Sequence, residues 1–259
     1  MNKVRAALPW LAAGLFAILL TVLAYCPAAW LASALERQSG GRLTLGDATG
    51  TLWRGSAFIG GAPSGKDAVT PLLPGRFSWR LSPLLLLGQV ELELSNPVAM
   101  PQPVMVRGGW THWDVAPGLL DLPISGLAGL GAPLNTLAPT GQMQLSWSAL
   151  SVGMHGSALY LDGRMSLRLD DVASQLSSIR PLGAYQMVFD WHGAQARIAL
   201  TTVNGPLLLS GTGMLDNGRF RFSGKASAET GQEERLANML NLLGQRRKEG
   251  DKNFIALEF

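Results

Sequence analysis

The chain has 259 residues, a net charge of +3, a pI of about 9.3 and only 15% charged residues, with a mean hydropathy of +0.18. Its lysines and arginines are scattered rather than set in a stripe interleaved with aromatics, which leaves no footprint for nucleic acid. The single cysteine, Cys26, excludes an internal disulfide and a thiolate metal cluster, so the fold is held by its own core.

The first element runs from Ala6 to Cys26 without a charged side chain and includes Trp10, Leu15, Phe16, Leu20, Leu23 and Tyr25. A helix of roughly 20 residues, rising about 1.5 Å per residue, crosses a hydrocarbon core of about 30 Å. The stretch therefore reads as a transmembrane anchor over 6–26. A cleaved signal is the competing reading, but its apolar region is about 7 to 15 residues long. Lipidation at Cys26 is disfavoured by the bulky Tyr25 before it. Lys3 and Arg5 make residues 1–5 a cytoplasmic tail. Everything after Tyr25 is then expected on the periplasmic side, in an oxidising compartment that in a bacterium lacks ATP and nicotinamide cofactors.

Residues 27–41 form a juxtamembrane amphipathic segment: Pro27 breaks the anchor, Trp30, Leu31 and Leu35 share one side of a short helix, and Gly40-Gly41 ends it. From Arg42 the period changes to two, and residues 42–259 read as a β domain. Strands are expected at Arg42–Gly46, after the turn at Gly50 through Trp53, at Arg76–Leu81 and at Gln89–Leu94. Leu84–Leu87 between them reads as a buried turn or strand edge. The Pro/Gly-rich stretch 101–140 reads as a junction with short helical turns. Within it the apolar run Gly118–Leu137 is too interrupted by Asp121, Pro123 and several glycines to be a second span.

Strands resume at Gly141–Trp147, Ala158–Leu169, Gln186–Trp191, Ala194–Thr202, Pro206–Leu215 and Arg219–Ala228. Gly141 to Ser146-Trp147 resembles Gly75 to Ser78-Trp79, and Asn204 to Leu207 resembles Thr49 to Leu52. These likenesses suggest two related halves, 42–100 and 141–228, with chance recurrence in a Gly-rich β protein as the alternative. An amphipathic helix over 233–245 carries Leu236, Met239, Leu240 and Leu243 on one face, with Glu233 and Glu234 at its start. A charged loop Arg246–Lys252 and a closing strand 254–259 complete the chain. The fold class is mainly β: an N-terminal transmembrane helix, then an antiparallel, Gly-punctuated twisted meander with a few short helices.

Catalytic chemistry finds no anchor in this pattern. His112, His155 and His192 lack the spacing of a metal pair. His112-Trp113-Asp114 offers a base and an acid, yet no serine stands in a Gly-x-Ser-x-Gly elbow. Gly60 to Asp67 matches the G-x-x-x-x-G-K part of a phosphate loop. Asp67 replaces the hydroxyl that would hold magnesium, and Pro71 and Pro74 forbid the helix that should follow. No enzyme activity, cofactor or nucleotide is expected.

Gly41 to Leu45, and above all Gly50-Thr51-Leu52-Trp53-Arg54-Gly55 with the preceding Ala48-Thr49, resemble the N component of the bacterial type II (general) secretion pathway. Arg76–Leu94, Gly205–Gly213, Phe220–Ala226 and the late helix extend the likeness along nearly the whole chain. The resemblance implies a bitopic inner-membrane protein with a periplasmic β domain, contacting other secretion-system subunits and inner-membrane lipids. Gly50 to Gly55 would be a sheet-building or docking motif, with Leu52 and Trp53 on opposite faces of a strand. The same meander is similar to AsmA-like envelope proteins, which implies the alternative of lipid held or guided in an apolar groove.

Overall fold

Alternation of apolar and polar residues puts one face of each strand toward a core, and glycine-punctuated turns return the chain to pair with itself. In the computed structural model this produces, among the described residues, one antiparallel sheet of 17 strands. The structure describes all residues except 1, 42, 62–69, 72, 125–137, 157, 217–218, 250–251 and 259, with side chains left out at 2–9, 11, 12, 16, 70, 71, 155, 158, 243, 245, 246, 248, 249, 252 and 253.

Helix α1 (Asn2–Ala24) leads into α2 (Ala28–Gln38). In α2 only Ala28 is buried, while Trp30 and Leu31 are exposed. Among the described residues, no helix is long and apolar enough to cross a membrane. Several positions of the uncharged run, including 6–9, 11, 12 and 16, lie outside that description as side chains.

Strands β1 (Leu43–Gly50), β2 (Arg54–Gly61), β4 (Phe77–Leu81), β5 (Val90–Ser95), β6 (Val104–Gly108) and β7 (His112–Val115) pair successively, and the short β3 (Thr70–Pro71) lies on the end of β2. Next, β7 and β8 (Gly118–Leu122) act as one kinked strand against another made of β9 (Thr140–Trp147) and β10 (Leu150–His155), and β9 and β10 share one edge of β11 (Ala158–Ala173). From there β12 (Gly183–Gly193), β13 (Gln195–Asn204), β14 (Leu207–Asp216) and β15 (Arg219–Ala228) continue the meander. The last strand, β17 (Lys252–Glu258), lies between β15 and β16 (Gln245–Glu249).

Among the described residues two cores stabilise the sheet. Helix α3 (Glu233–Leu243) sets Leu236 and Met239 against Leu182, Tyr185, Leu207, Phe222 and Ile255. Phe77, Met100 and Val104 form the other, with Val115, Leu120 and Trp147 packed on it.

Four expectations are corrected. The segment 104–122, expected as an irregular junction, supplies β6, β7 and β8, because pairing with neighbouring strands outweighs its prolines and glycines; the rest of the apolar run, 125–137, lies outside the described residues. The charged stretch expected as a loop supplies β16, an edge strand, where charge disfavours further pairing. Pro83–Leu87 is a 3-10 helix with no buried residue rather than a buried turn. Leu52 and Trp53 lie in a bend between β1 and β2, not on opposite faces of a strand.

Candidate functional site at the helix-sheet junction

The bend that joins β1 to β2 is hydrogen-bonded to both the helix end before it and the sheet after it. Gly50 enters it at φ 89, and a Cβ there would fall 2.4 Å from the Arg54 carbonyl oxygen, so only glycine fits. The Thr51 N–H donates to Arg54 O at 2.8 Å, and the Arg54 N–H donates back to Thr51 Oγ1 at 3.2 Å. This closes the bend on itself.

Its outward groups reach in two directions. The Leu52 N–H donates to Cys26 O at 2.7 Å, Thr51 bridges to Pro27, and the Trp53 indole N–H donates to Leu23 O at 2.8 Å. Leu23 is in the last turn of α1, where carbonyls have no partner within the helix; the indole supplies one. Toward the sheet, Leu52 O accepts from the Trp79 indole at 3.0 Å, and Trp53 O accepts from the Leu81 N–H at 2.8 Å. The bend is therefore a clasp between the end of α1 and β4.

Of the motif residues, Gly50, Thr51, Leu52 and Trp53 meet in this clasp. Arg54 and Gly55 begin β2, where Arg54 stands opposite Arg80 and Gly55 opposite Trp79. Beside the clasp an open depression of about 370 Å³ is lined by Arg54, Arg80, Glu93, Thr49, Ser56 and Ser78, among others. Arg80 lies 3.3 Å from Glu93 there, and Arg54 stands opposite Arg80 on β2. Arg76, just before β4, donates to Asp47 Oδ2 and Ser56 Oγ, each at 2.8 Å, and to the Asp47 carbonyl, pinning the bulged edge strand β1.

The anchor residues Ala6, Trp10, Leu15, Phe16, Leu20 and Leu23 all fall in α1, and Tyr25 just beyond it. Trp10, Leu15 and Tyr25 are exposed by 70% or more of their area. Nothing in the sequence marks Leu81 as a partner of the motif, and the Ser-Trp recurrence is the one sequence signal that points at Trp79.

The remaining candidates do not assemble. His112 Nε2 lies 3.5 Å from Asp114 and 3.2 Å from Ser151 Oγ, both contacts at the same ring nitrogen, so the ring cannot pass a proton from one to the other through its two nitrogens. His192 lies 3.8 Å from Asp190, and the side chain of His155 is outside the described residues. Among the described residues no group of three His, Cys, Asp or Glu stands together to hold a metal ion. Residues 62–67 of the phosphate-loop match also lie outside them.

The whole arrangement can fasten the end of α1 to a broad sheet through Gly50, Thr51, Leu52 and Trp53. No curated protein and no solved structure shows a significant match to the chain. The family model described as type II secretion system (T2SS), protein N matches residues 41–253. That match starts just before β1 and runs through all but the final residues of the sheet, and the chain belongs to the type II secretion system protein N family.

Proposed function

We propose that this secretion-system component is a non-enzymatic, single-pass inner-membrane protein, held by α1 with its N-terminus cytoplasmic, whose sheet contacts other subunits of the machine in the periplasm. The observation that carries the proposal is the Trp53–Leu23 hydrogen bond, which joins the end of the uncharged run in α1 to the sheet. A helix of 23 residues is about 35 Å long at 1.5 Å per residue, enough for a hydrocarbon core. Its exposed Trp10, Leu15, Ile18 and Leu19 need an apolar surrounding, and lipid supplies one. Lys3 and Arg5 favour a cytoplasmic N-terminus.

The test pairs topology with secretion. Carbonate-washed membranes should retain the protein, and protease added to the periplasmic side should degrade all but the helix. Exporting residues 27–259 in soluble form should abolish the contribution to secretion. Full secretion by the soluble form would overturn tethered assembly.

A second reading, lipid held along the sheet, is favoured by one observation. Directly opposed residues Trp147, Met165, Phe189, Ile198, Gly213 and Phe222 make an apolar row across six strands, with a similar row at Gly163, Trp191, Ala196, Leu215 and Phe220. The Trp191 indole nitrogen in the second row is buried without a hydrogen-bond partner. Acyl chains recovered in stoichiometric amount with the purified protein would support this reading, and delipidation without loss of stability would count against it.

A further inference from the structure

The strand directions sort the described connections of the meander to one of two ends. At the end where α1 is clasped lie the β1–β2 bend, the 3-10 helix Pro83–Leu87 between β4 and β5, the β6–β7 turn at Gly109–Thr111, and the hairpins β10–β11, β12–β13 and β14–β15. The 3-10 helix is held by Ser82, which caps it at Leu84 N, and is ended by Gly88 in the left-handed region. Its leucines are turned out: Leu86 is 52% and Leu87 78% exposed. Trp110, 65% exposed, lies over Gly88, where a Cβ would fall 2.7 Å from its indole nitrogen. Leucines and tryptophan thus form one exposed apolar patch.

The patch lies close to the point of attachment. The 3-10 helix follows β4, the strand next to β2, and the Trp110 turn is two strands further along, so at about 4.8 Å per strand the patch lies roughly 5 to 20 Å from the clasp. The clasp itself engages Leu23 and Cys26, the last residues of the uncharged run, and so leaves no linker to lift this end of the sheet away from the surface in which the helix ends. Exposed Trp30 in α2 follows the same junction. The opposite end also exposes Val98, Leu176 and Leu242, but among the described residues it carries no exposed tryptophan and no attached apolar helix.

We propose that Leu86, Leu87 and Trp110 form a second membrane contact, dipping into the periplasmic leaflet beside α1 and fixing the tilt of the sheet on the bilayer. The occupant is a lipid surface: leucines enter the acyl boundary and the indole rests at headgroup depth, where such rings partition. Two contact points, one covalent through the helix and one through the patch, convert a swivelling tether into a defined orientation. This rests on α1 being the anchor, as proposed above.

The test uses full-length protein in phosphatidylethanolamine/phosphatidylglycerol vesicles, with Cys26→Ser and a single fluorescent probe at Leu87→Cys or, on the far end, Glu229→Cys. Both sites are exposed, so the fold tolerates the probe. The expected result is quenching of the Leu87 probe by nitroxide-labelled lipid and loss of its quenching by aqueous iodide, with the reverse at Glu229. Equal iodide quenching at the two sites in a carbonate-resistant protein overturns the patch contact alone. Carbonate extraction with a still lipid-shielded Leu87 probe overturns the anchor while supporting the patch.

Discussion

The indole of Trp79 lies against the backbone of its cross-strand partner Gly55, so closely that a Cβ on Gly55 would fall 2.3 Å from ring atom Cζ2. Trp147 repeats the arrangement on its partner Gly118, at 2.4 Å. Each indole N–H then donates to a carbonyl just before that glycine, Trp79 to Leu52 and Trp147 to Ala116. A large ring thus covers a bare stretch of neighbouring strand and secures the bend that precedes it. Gly55→Ala and Gly118→Ala should each lower the urea midpoint, by about 1–3 kcal/mol of overpacking. Adding Trp79→Leu should recover part of the Gly55→Ala loss, because it removes the clashing ring; no recovery would refute the packing account.

Trp53→Phe keeps a ring in the bend and removes the bond to Leu23. The cost should be about 0.5–1.5 kcal/mol and confined to the junction. Hydrogen exchange should accelerate at the Leu52 amide, which bonds Cys26 O, with the sheet core unchanged. Uniform acceleration throughout the sheet would show that the clasp supports the whole fold instead.

Asn96 is 1% exposed and fully used: its amide donates to Pro74 O at 2.8 Å, and its carbonyl accepts from Val98 N and Ala99 N. Asn96→Ala leaves these backbone groups without partners, at about 1–3 kcal/mol for each that water cannot reach. Denaturant unfolding should show a larger loss than for Thr49→Ala on the exposed edge strand. Equal losses would mean that water fills the site.

Tyr185 is buried, its hydroxyl 3.0 Å from Leu207 O and 3.2 Å from Leu182 O, and burial raises its pKa well above the ordinary value of 10. A raised folded-state pKa gives stability that is complete below the unfolded value of about 10 and is lost as pH climbs toward the folded one. Stability of the wild type should therefore fall above about pH 10, and Tyr185→Phe should flatten part of that fall. An identical alkaline slope in both proteins would exclude Tyr185 as its source.

Local pattern determined a good deal. The alternation in Gln195–Asn204 buries Ala196, Ile198 and Leu200, and the helical stripe buries Leu236 and Met239, because the period of apolar residues states which face is covered whatever covers it. The Gly50 to Gly55 motif was legible as a special place, and the Ser-Trp likeness of Trp79 and Trp147 is matched by their packing. The other likeness, Asn204 to Leu207 with Thr49 to Leu52, is not, since those turns lie at opposite ends of the sheet.

Tertiary structure alone decided the rest. Strands β6 to β8 and the charged β16 carry weak or misleading periodicity, and their pairing comes from neighbouring strands that satisfy their backbone. The sequence marks Trp53 but not its acceptor, which lies 30 residues away at the end of a helix. Which turns share an end with that helix, and hence that Leu87 and Trp110 stand beside it, follows from strand direction accumulated over the whole meander. A local window of residues encodes burial, whereas long-range hydrogen bonding encodes position.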